Sequence, residues 1–437
     1  MKIALIVDNP RRDLAGLVLL SLLLKKFSHD VYLVPSNLRY YEIGKIQPEY
    51  VLFPNLRWPN VKLAKFLKDC KVKVGVLETE GAFSNNLTRW VQVYDRNEKF
   101  NEIVDDWFFW GENYKDEFLK QHNIDSNKVH VVGNPKFDIY QNTKISDKKK
   151  NILIATSFPF FNSNLKKAKE LKSRRKHKIY NDNDLSNIYS KQKNQFNQII
   201  DIVNSLSLKY PDYIFKIRPH PFEKISSYKK KFNNKNIVVE NKELSHHAIM
   251  NNSLLIHFVS SLCFEAALAS LNNIVIKDLI DEETLSSNNP LINLITFVEN
   301  KDELIENLPL LTAPKDYTKL INHKIVFIDD EVLSSEKIAN ILENTQTTPV
   351  NVRKIANLKY GIVDNQNFTK IKYIFRKIFS LQTKYSLKMV NLIAKWKNSY
   401  KYFDNNDAKA ILEENNKFEF AYFDKDQVSL KIVFNEK

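Results

Sequence analysis

Two short stretches carry side chains suited to holding a phosphate. The first, residues 213–223, reads YIFKIRPHPFE, and the second, residues 253–270, reads SLLIHFVSSLCFEAALAS. Side chains alternate along a strand, so Lys216 and Arg218 share one face. His220 follows just past the strand end, held between Pro219 and Pro221, whose rings fix the backbone. A guanidinium and an imidazole at one strand end suit a phosphate or a nucleotide diphosphate. An imidazole ordinarily titrates near neutrality, which makes His220 a candidate to protonate a leaving phosphate. In the second stretch, Ser260 and Ser261 end an apolar run and open a helical one. One hydroxyl is expected to cap the helix, and the other, with the free amides there, to take phosphate oxygens at the positive end of the dipole. Glu265, one turn on, is a candidate acceptor for ribose hydroxyls.

Each of these has a bland reading beside the chemical one: a structural turn with a surface histidine, or serines that only cap a helix. The same holds for the acids of the N-terminal half. Glu80, in the run Glu78-Thr79-Glu80-Gly81 behind an apolar stretch, is placed to deprotonate an acceptor hydroxyl; otherwise it is a solvated loop carboxylate. Asp13, in Asn9-Pro10-Arg11-Arg12-Asp13, is its rival as base; otherwise it is the N-cap of the helix that follows. Arg11 and Arg12 are candidates to bind an acceptor or a carboxylate. His246 and His247 read as surface residues and His257 as a satisfied core residue. There is no HxH or HExxH spacing, so no metal is called for, and cationic side chains with helix dipoles can stabilise a leaving nucleotide.

The elements that position these residues alternate. Apolar runs at 2–7, 30–35, 50–53, 72–77, 107–111 and 128–132 read as strands, with helical segments at 14–27, 38–47, 60–69 and up to about 122. Near-continuous apolar strands between helices indicate a parallel sheet covered on both faces. A GNPKFD segment at 133–138 and a polar run to Lys150 read as a linker. A second alternation then begins: strands at 151–158, 213–218, 237–240, 253–258 and 273–277, and a helix at about 195–209 after a Lys/Asn-rich insertion at 162–193. A strand-like KIVFID at 324–329 and a helix at 334–343 are expected to close this second unit. The expected domains are therefore 1–140, 141–345, and a C-terminal extension over 346–437. Only seven glycines occur in the chain and no GxGxxG or Walker A pattern is present, so no dinucleotide cofactor is expected and the phosphate site must use side chains and helix starts.

The bulk numbers narrow the class. With 437 residues of which 43% are hydrophobic, two cored domains are affordable, and two unpaired cysteines fit a reducing compartment. Neither a secretory leader nor a membrane-spanning run is expected. The net charge of +15 asks for a polyanionic partner. Residues 365–403 hold nine Lys/Arg and no Asp or Glu, with apolar positions at helical spacing. That is the pattern of a helix lying on an anionic membrane surface, or of an ordinary helix with a solvated basic face. A second basic cluster, KKAKELKSRRKHK at 166–178, reads as a solvated helix or a docking surface for an anionic glycan. Nucleic acid is disfavoured as a partner, because the charge clusters in these stretches and no nucleic-acid motif accompanies it.

An HP motif followed some forty residues later by a Ser-Ser pair resembles bacterial glycosyltransferases of GT-B architecture that use CMP-activated acidic sugars, such as sialyl and Kdo transferases. The region also looks similar to CDP-glycerol glycerophosphotransferases. The opening KIALIVDNPRRDLAGL and the GNPKFD segment resemble surface-carbohydrate biosynthesis proteins. The resemblance covers roughly residues 1–280. It implies two Rossmann-like domains facing across a cleft, with a basic C-terminal helical appendage. It also implies donor phosphate held by the HP histidine and the serine pair, and a base from an acidic pair before glycine. Glu80-Gly81 matches that last motif, but Thr79 stands where a second acid is expected. The implied activity moves a sugar from a nucleotide donor, CMP-linked, to a lipid-linked surface glycan at the inner face of the cell membrane. The donor site would comprise Lys216, Arg218, His220, Pro221, Ser260, Ser261 and Glu265. Rival readings are a CDP-glycerol or UDP-sugar transferase and, in another class, a non-catalytic glycan-binding protein on the membrane surface.

Overall fold

The computed structural model describes residues 1–141, 150–163, 182–281, 285 and 289–360, apart from 59, 81–82, 84–85, 96 and 330. It also describes 407–408, 411, 421–424 and 430–434. The basic stretches at 166–178 and 365–403, and Gly81, lie outside the described residues. The chain forms two α/β units, residues 1–139 with 322–437, and residues 140–321.

The first unit begins with β1 (Lys2–Val7), α1 (Pro10–Lys26), β2 (Asp30–Pro35), α2 (Arg39–Ile46), β3 (Tyr50–Phe53), α3 (Asn60–Asp69) and β4 (Lys73–Leu77). It continues with α4 (Leu87–Val91), α5 (Phe100–Ile103), β5 (Asp106–Phe109), α6 (Glu112–Gln121) and β6 (Val129–Val131). β2, β1, β3, β4, β5 and β6 lie side by side in that order, all parallel. Positions 3–7 of β1 are all buried, as continuous apolar runs in a two-sided parallel sheet require. The order reverses direction between β1 and β3, and at such a switch point open sheets bind ligands beyond the strands' carboxyl ends.

The second unit runs β7 (Asn151–Ala155), α7 (Asp182–Lys209), β8 (Ile214–Arg218), α8 (Ile225–Lys229), β9 (Ile237–Val239), α9 (Ser245–Met250), β10 (Leu254–His257), α10 (Leu262–Leu268), β11 (Asn273–Ile276), β12 (Thr296–Val298) and α11 (Lys301–Leu311). Its sheet has the order β12-β11-β10-β7-β8-β9, all parallel. Ile152, Ile154, Phe215, Ile217 and Ile256 face one side and pack with Phe196, Ile199, Val203 and Leu206 of α7. Leu153, Ala155 and Leu255 face the other and pack with Ala248, Ile249 and Ala266 of α9 and α10. Here the switch point falls between β7 and β10. α7 starts at Asp182, so part of the stretch expected to be an insertion is helix.

The domain boundaries differ from expectation on the C-terminal side. Residues 322 onward return to the first unit, where 324–329 pass through a turn and a bend and form no strand. The helix α12 (Ser334–Glu343) packs on α1. The reason lies in GNPKFD. Asp138 accepts the Ser334 and Ser335 amides at 3.1 and 2.8 Å and the Ser335 hydroxyl at 2.6 Å, capping α12 from almost two hundred residues away. Gly133 takes a φ of +84°, which glycine adopts without strain. Gly16 of α1 lets the helix touch the 135–136 backbone: a Cβ there would fall 2.4 Å from the Lys136 nitrogen. The linker expected at this segment is thus a buried seam. The strands β13 (Ala421–Asp424) and β14 (Leu430–Phe434) extend the first sheet, β14 running antiparallel to β2.

Candidate functional site

In the second unit, β7, β8 and β10 are register neighbours, Ala155 lying opposite both Arg218 and His257. The chain therefore leaves all three strands at one level of the switch point. β8 alternates as expected, with Phe215 and Ile217 buried and Lys216 and Arg218 half-buried on the other face. Arg218 donates from Nη1 to the Glu243 carbonyl at 2.7 Å and from Nη2 to Ser245 Oγ at 3.3 Å. Burial lowers its pKa from the ordinary value, and two of its five N–H donors are already used.

The HP turn rests on a carboxylate. Glu223 is fully buried. It accepts the His220 amide at 3.0 Å, the Thr156 hydroxyl at 3.1 Å and the Tyr228 hydroxyl at 2.5 Å. Burial pushes its pKa up. The His220 ring accepts the Phe222 amide on Nδ1 at 3.2 Å, so its neutral form carries the proton on Nε2. Beside it, the Phe222 ring is 46% exposed.

The second stretch is organised by His257, which is buried. Its Nδ1 accepts the Ser260 amide at 3.0 Å and its Nε2 faces Asn273 Oδ1 at 3.3 Å. Burial holds it neutral, with its pKa lowered to about 4. Val259, between them, has a φ of +52°, a region that β-branched residues avoid and that clusters at functional loops. Ser260 Oγ accepts the Leu262 amide at 3.2 Å. The free amides expected here are therefore partly committed, and Ser260, not Ser261, supplies the side-chain cap. The Ser261 hydroxyl makes no capping bond and is exposed. Glu265 does not fit a ribose ligand in this arrangement: it is 6% exposed and accepts the Tyr140 hydroxyl at 2.8 Å. His246 is likewise buried rather than on the surface.

In the first unit, the ends of β1, β3 and β4 bring a charged cluster to the other switch point. The cap of α1 is Asn9, whose side chain accepts the Arg11 amide at 3.2 Å, so Asp13 is not the cap. Asp13 is buried, accepts the Asn9 amide at 3.0 Å, and forks onto Arg12 at 2.6 and 3.0 Å. Arg12 Nη1 reaches Glu80 at 2.6 Å and its Nη2 the Thr79 hydroxyl at 3.0 Å. Arg57 joins from beyond β3, donating to Glu80 at 3.0 Å and to Glu78 at 3.1 Å, with its guanidinium 4.6 Å from the Trp90 ring centre. Glu78 also takes the Tyr94 hydroxyl and the Thr79 and Glu80 amides at 3.0 and 3.2 Å. Burial raises the Glu78 pKa despite Arg57. Glu80 is lowered to about 2: burial acts to raise it, and the two guanidinium groups together outweigh that. Asp13, Thr79 and Lys136 line a cavity of about 20 Å³ in this unit, room for about one water.

No protein-family model and no curated protein matches this sequence. Solved structures resemble it at low identity. A UDP-GlcNAc 2-epimerase from Methanocaldococcus jannaschii, in complex with UDP-GlcNAc and UDP, is 18% identical, covering 78% of this chain and 99% of that one at a TM-score of 0.44. The Neisseria meningitidis UDP-GlcNAc 2-epimerase bound to UDP-GlcNAc is 14% identical, covering 79% and 100% at 0.45. A variant of the wall teichoic acid polymerase TagF soaked with CDPG is 14% identical, covering 78% and 87% at 0.43. Likeness at this level carries no argument about activity, and the residues must carry it.

Sequence reasoning did not find Arg57, Glu78 or Glu223, and gave His257 no part in the loop. Arg57 had a signal, since it lies four residues past the end of an apolar strand, as Glu80 lies three past β4. Glu223 closes the PHPFE run, but a buried carboxylate without a cation has no signature in a linear pattern.

Proposed function

We propose that this chain is a glycosyltransferase that moves an acidic, CMP-activated sugar to a hydroxyl of a lipid-linked surface glycan. The observation that carries this reading is the convergence at the second switch point. There the HP turn after β8 and the Ser-Ser turn after β10, each braced by a buried side chain, leave the sheet together, where α/β sheets bind nucleotides.

In this reading, Ser261, Ser260, Lys216 and the Pro221-braced His220 hold the donor phosphate. Arg218 supports the site by its charge, with Glu265 and Tyr140 behind it. The exposed Phe222 ring offers a face for stacking a base. The acceptor oxygen attacks the anomeric carbon while that carbon's bond to the phosphate oxygen breaks. The nucleoside monophosphate leaves with the bonding pair, His220 donates a proton to it, and the hydroxyl proton passes to Glu80, with Asp13 nearby. The basic residues 365–403 hold the enzyme at an anionic membrane surface. Among the described residues no helix is long and apolar enough to cross a membrane.

Calorimetric titration with CMP, CDP and UDP tests the donor. CMP is expected to bind at least tenfold more tightly than UDP. UDP binding without CMP binding overturns the donor assignment, and binding of none of the three overturns the transferase reading.

A further inference from the structure

Glu80 is an awkward base as it stands, because a carboxylate pinned by two guanidinium groups is ionised but weakly basic. The arrangement around it suggests why it is pinned. Three carboxylates hydrogen-bond Arg12 and Arg57, with Asp8 farther off at 3.9 Å from Arg12 Nη2, and the three are not equivalent. Asp13 and Glu78 have side chains only 4% and 3% exposed, while the Glu80 side chain is 40% exposed. Asp13 fixes the Nε–Nη2 edge of Arg12, and Glu78 fixes Nη2 of Arg57. Both anchors are held by backbone amides of their own, from Asn9 to Asp13 and from Thr79 to Glu78. Each guanidinium then gives its remaining Nη1 to Glu80, one oxygen apiece. Glu80 is thus the most exposed anion hydrogen-bonded in a two-guanidinium clamp, whose other hydrogen-bonded carboxylates, Asp13 and Glu78, are built in. Bidentate recognition of this kind suits a planar carboxylate.

We propose that Arg12 and Arg57 form a binding site for a carboxylate of the acceptor, which Glu80 occupies in the unliganded chain and vacates when an acidic sugar binds. The exchange conserves charge, since one carboxylate replaces another between two arginines that keep their buried partners. Trp58, the next residue along, is 77% exposed and adds an aromatic face at the same strand end. Once released, Glu80 loses both neighbouring cations and regains ordinary basicity, so an acidic acceptor would switch on its own base. An acceptor whose terminal sugar lacks a carboxylate would leave Glu80 clamped. The site would therefore select acidic glycan ends.

This inference rests on reading the first unit as the acceptor side of the proposed transferase. Its test contains no nucleotide, so a failure of the donor assignment leaves it readable. Full-length wild type, E80A and E80Q are titrated by NMR with glucuronate, with inorganic phosphate and with methyl glucoside, after circular dichroism shows each to be folded. Removing the internal competitor is expected to tighten glucuronate binding at least tenfold in E80A and E80Q, with no gain for methyl glucoside. The added substitution Arg57→Lys, which keeps a cation beside Glu78 but loses the fork, is expected to abolish the gain. No gain in either Glu80 variant, or a gain that survives Arg57→Lys, overturns the site. A gain for phosphate that equals or exceeds that for glucuronate overturns the carboxylate assignment.

Discussion

His257 accepts the Ser260 amide on Nδ1 at 3.0 Å, which makes a buried core histidine the brace of an exposed serine turn. The bond requires a neutral ring, and burial holds it so with a pKa lowered to about 4. In the unfolded chain the same ring titrates near its ordinary value, about 6.5. Between these values the unfolded state binds more protons, so stability is full above about 6.5 and falls as pH drops toward about 4. The whole effect is roughly 3 kcal/mol. Replacing His257 by Asn is expected to flatten the difference in unfolding free energy across that window. A variant whose stability falls with acid as steeply as wild type's would show that His257 is not held neutral.

The Arg57 network should fail asymmetrically. Arg57→Met strands the buried Glu78 carboxylate without its cation and is expected to cost roughly 3 kcal/mol by chemical denaturation. Arg57→Lys should cost much less, since the charge remains. An Arg57→Met variant as stable as wild type would contradict the pairing at 3.1 Å.

Glu80 itself should titrate low. The Arg12 and Arg57 guanidinium groups hold its carboxyl at about 2, so its contribution to stability is present above the ordinary carboxylate range and is lost as pH falls toward 2. Carbon-detected NMR titration is expected to find Glu80 well below the other exposed glutamates in wild type and shifted upward in Arg57→Lys. A Glu80 that titrates with the bulk glutamates would show the clamp to be open in solution.

Glu223 offers a test of the HP turn. Glu223→Gln keeps the shape but puts an amide donor among the His220 amide and the Thr156 and Tyr228 hydroxyls. A buried group facing the wrong partner costs of order 1–3 kcal/mol, and the turn it braces should lose its setting. CMP affinity is expected to fall about tenfold, equivalent to ~1.4 kcal/mol. Unchanged affinity would mean that the turn does not depend on its carboxylate.

Much of the scaffold was legible from periodicity. The strands ending at Val7, Phe53, Leu77, Ala155 and His257 are near-continuous apolar runs, the one ending at Arg218 alternates, and their ends carry the candidate residues. What could not be read was how those residues bond. Arg12 looked like a free ligand for anions, yet it is paired by Asp13 and Glu80. Glu265 looked like a ribose acceptor, yet it is buried against Tyr140. Asp13 looked like a cap, but Asn9 reaches the first turn of α1 ahead of it. Long-range partners also overrode local pattern at GNPKFD. A Gly-Asn-Pro run reads as a linker, and only the pairing of Asp138 with Ser335 shows that it draws the chain after residue 322 back to the first unit.

The most direct test of the transferase account is a crystal structure of the protein with CMP. The account predicts the phosphate at the ends of β8 and β10, within hydrogen-bonding distance of His220 and of the Ser261 hydroxyl. A phosphate bound elsewhere, with His220 and Ser261 untouched, would contradict it.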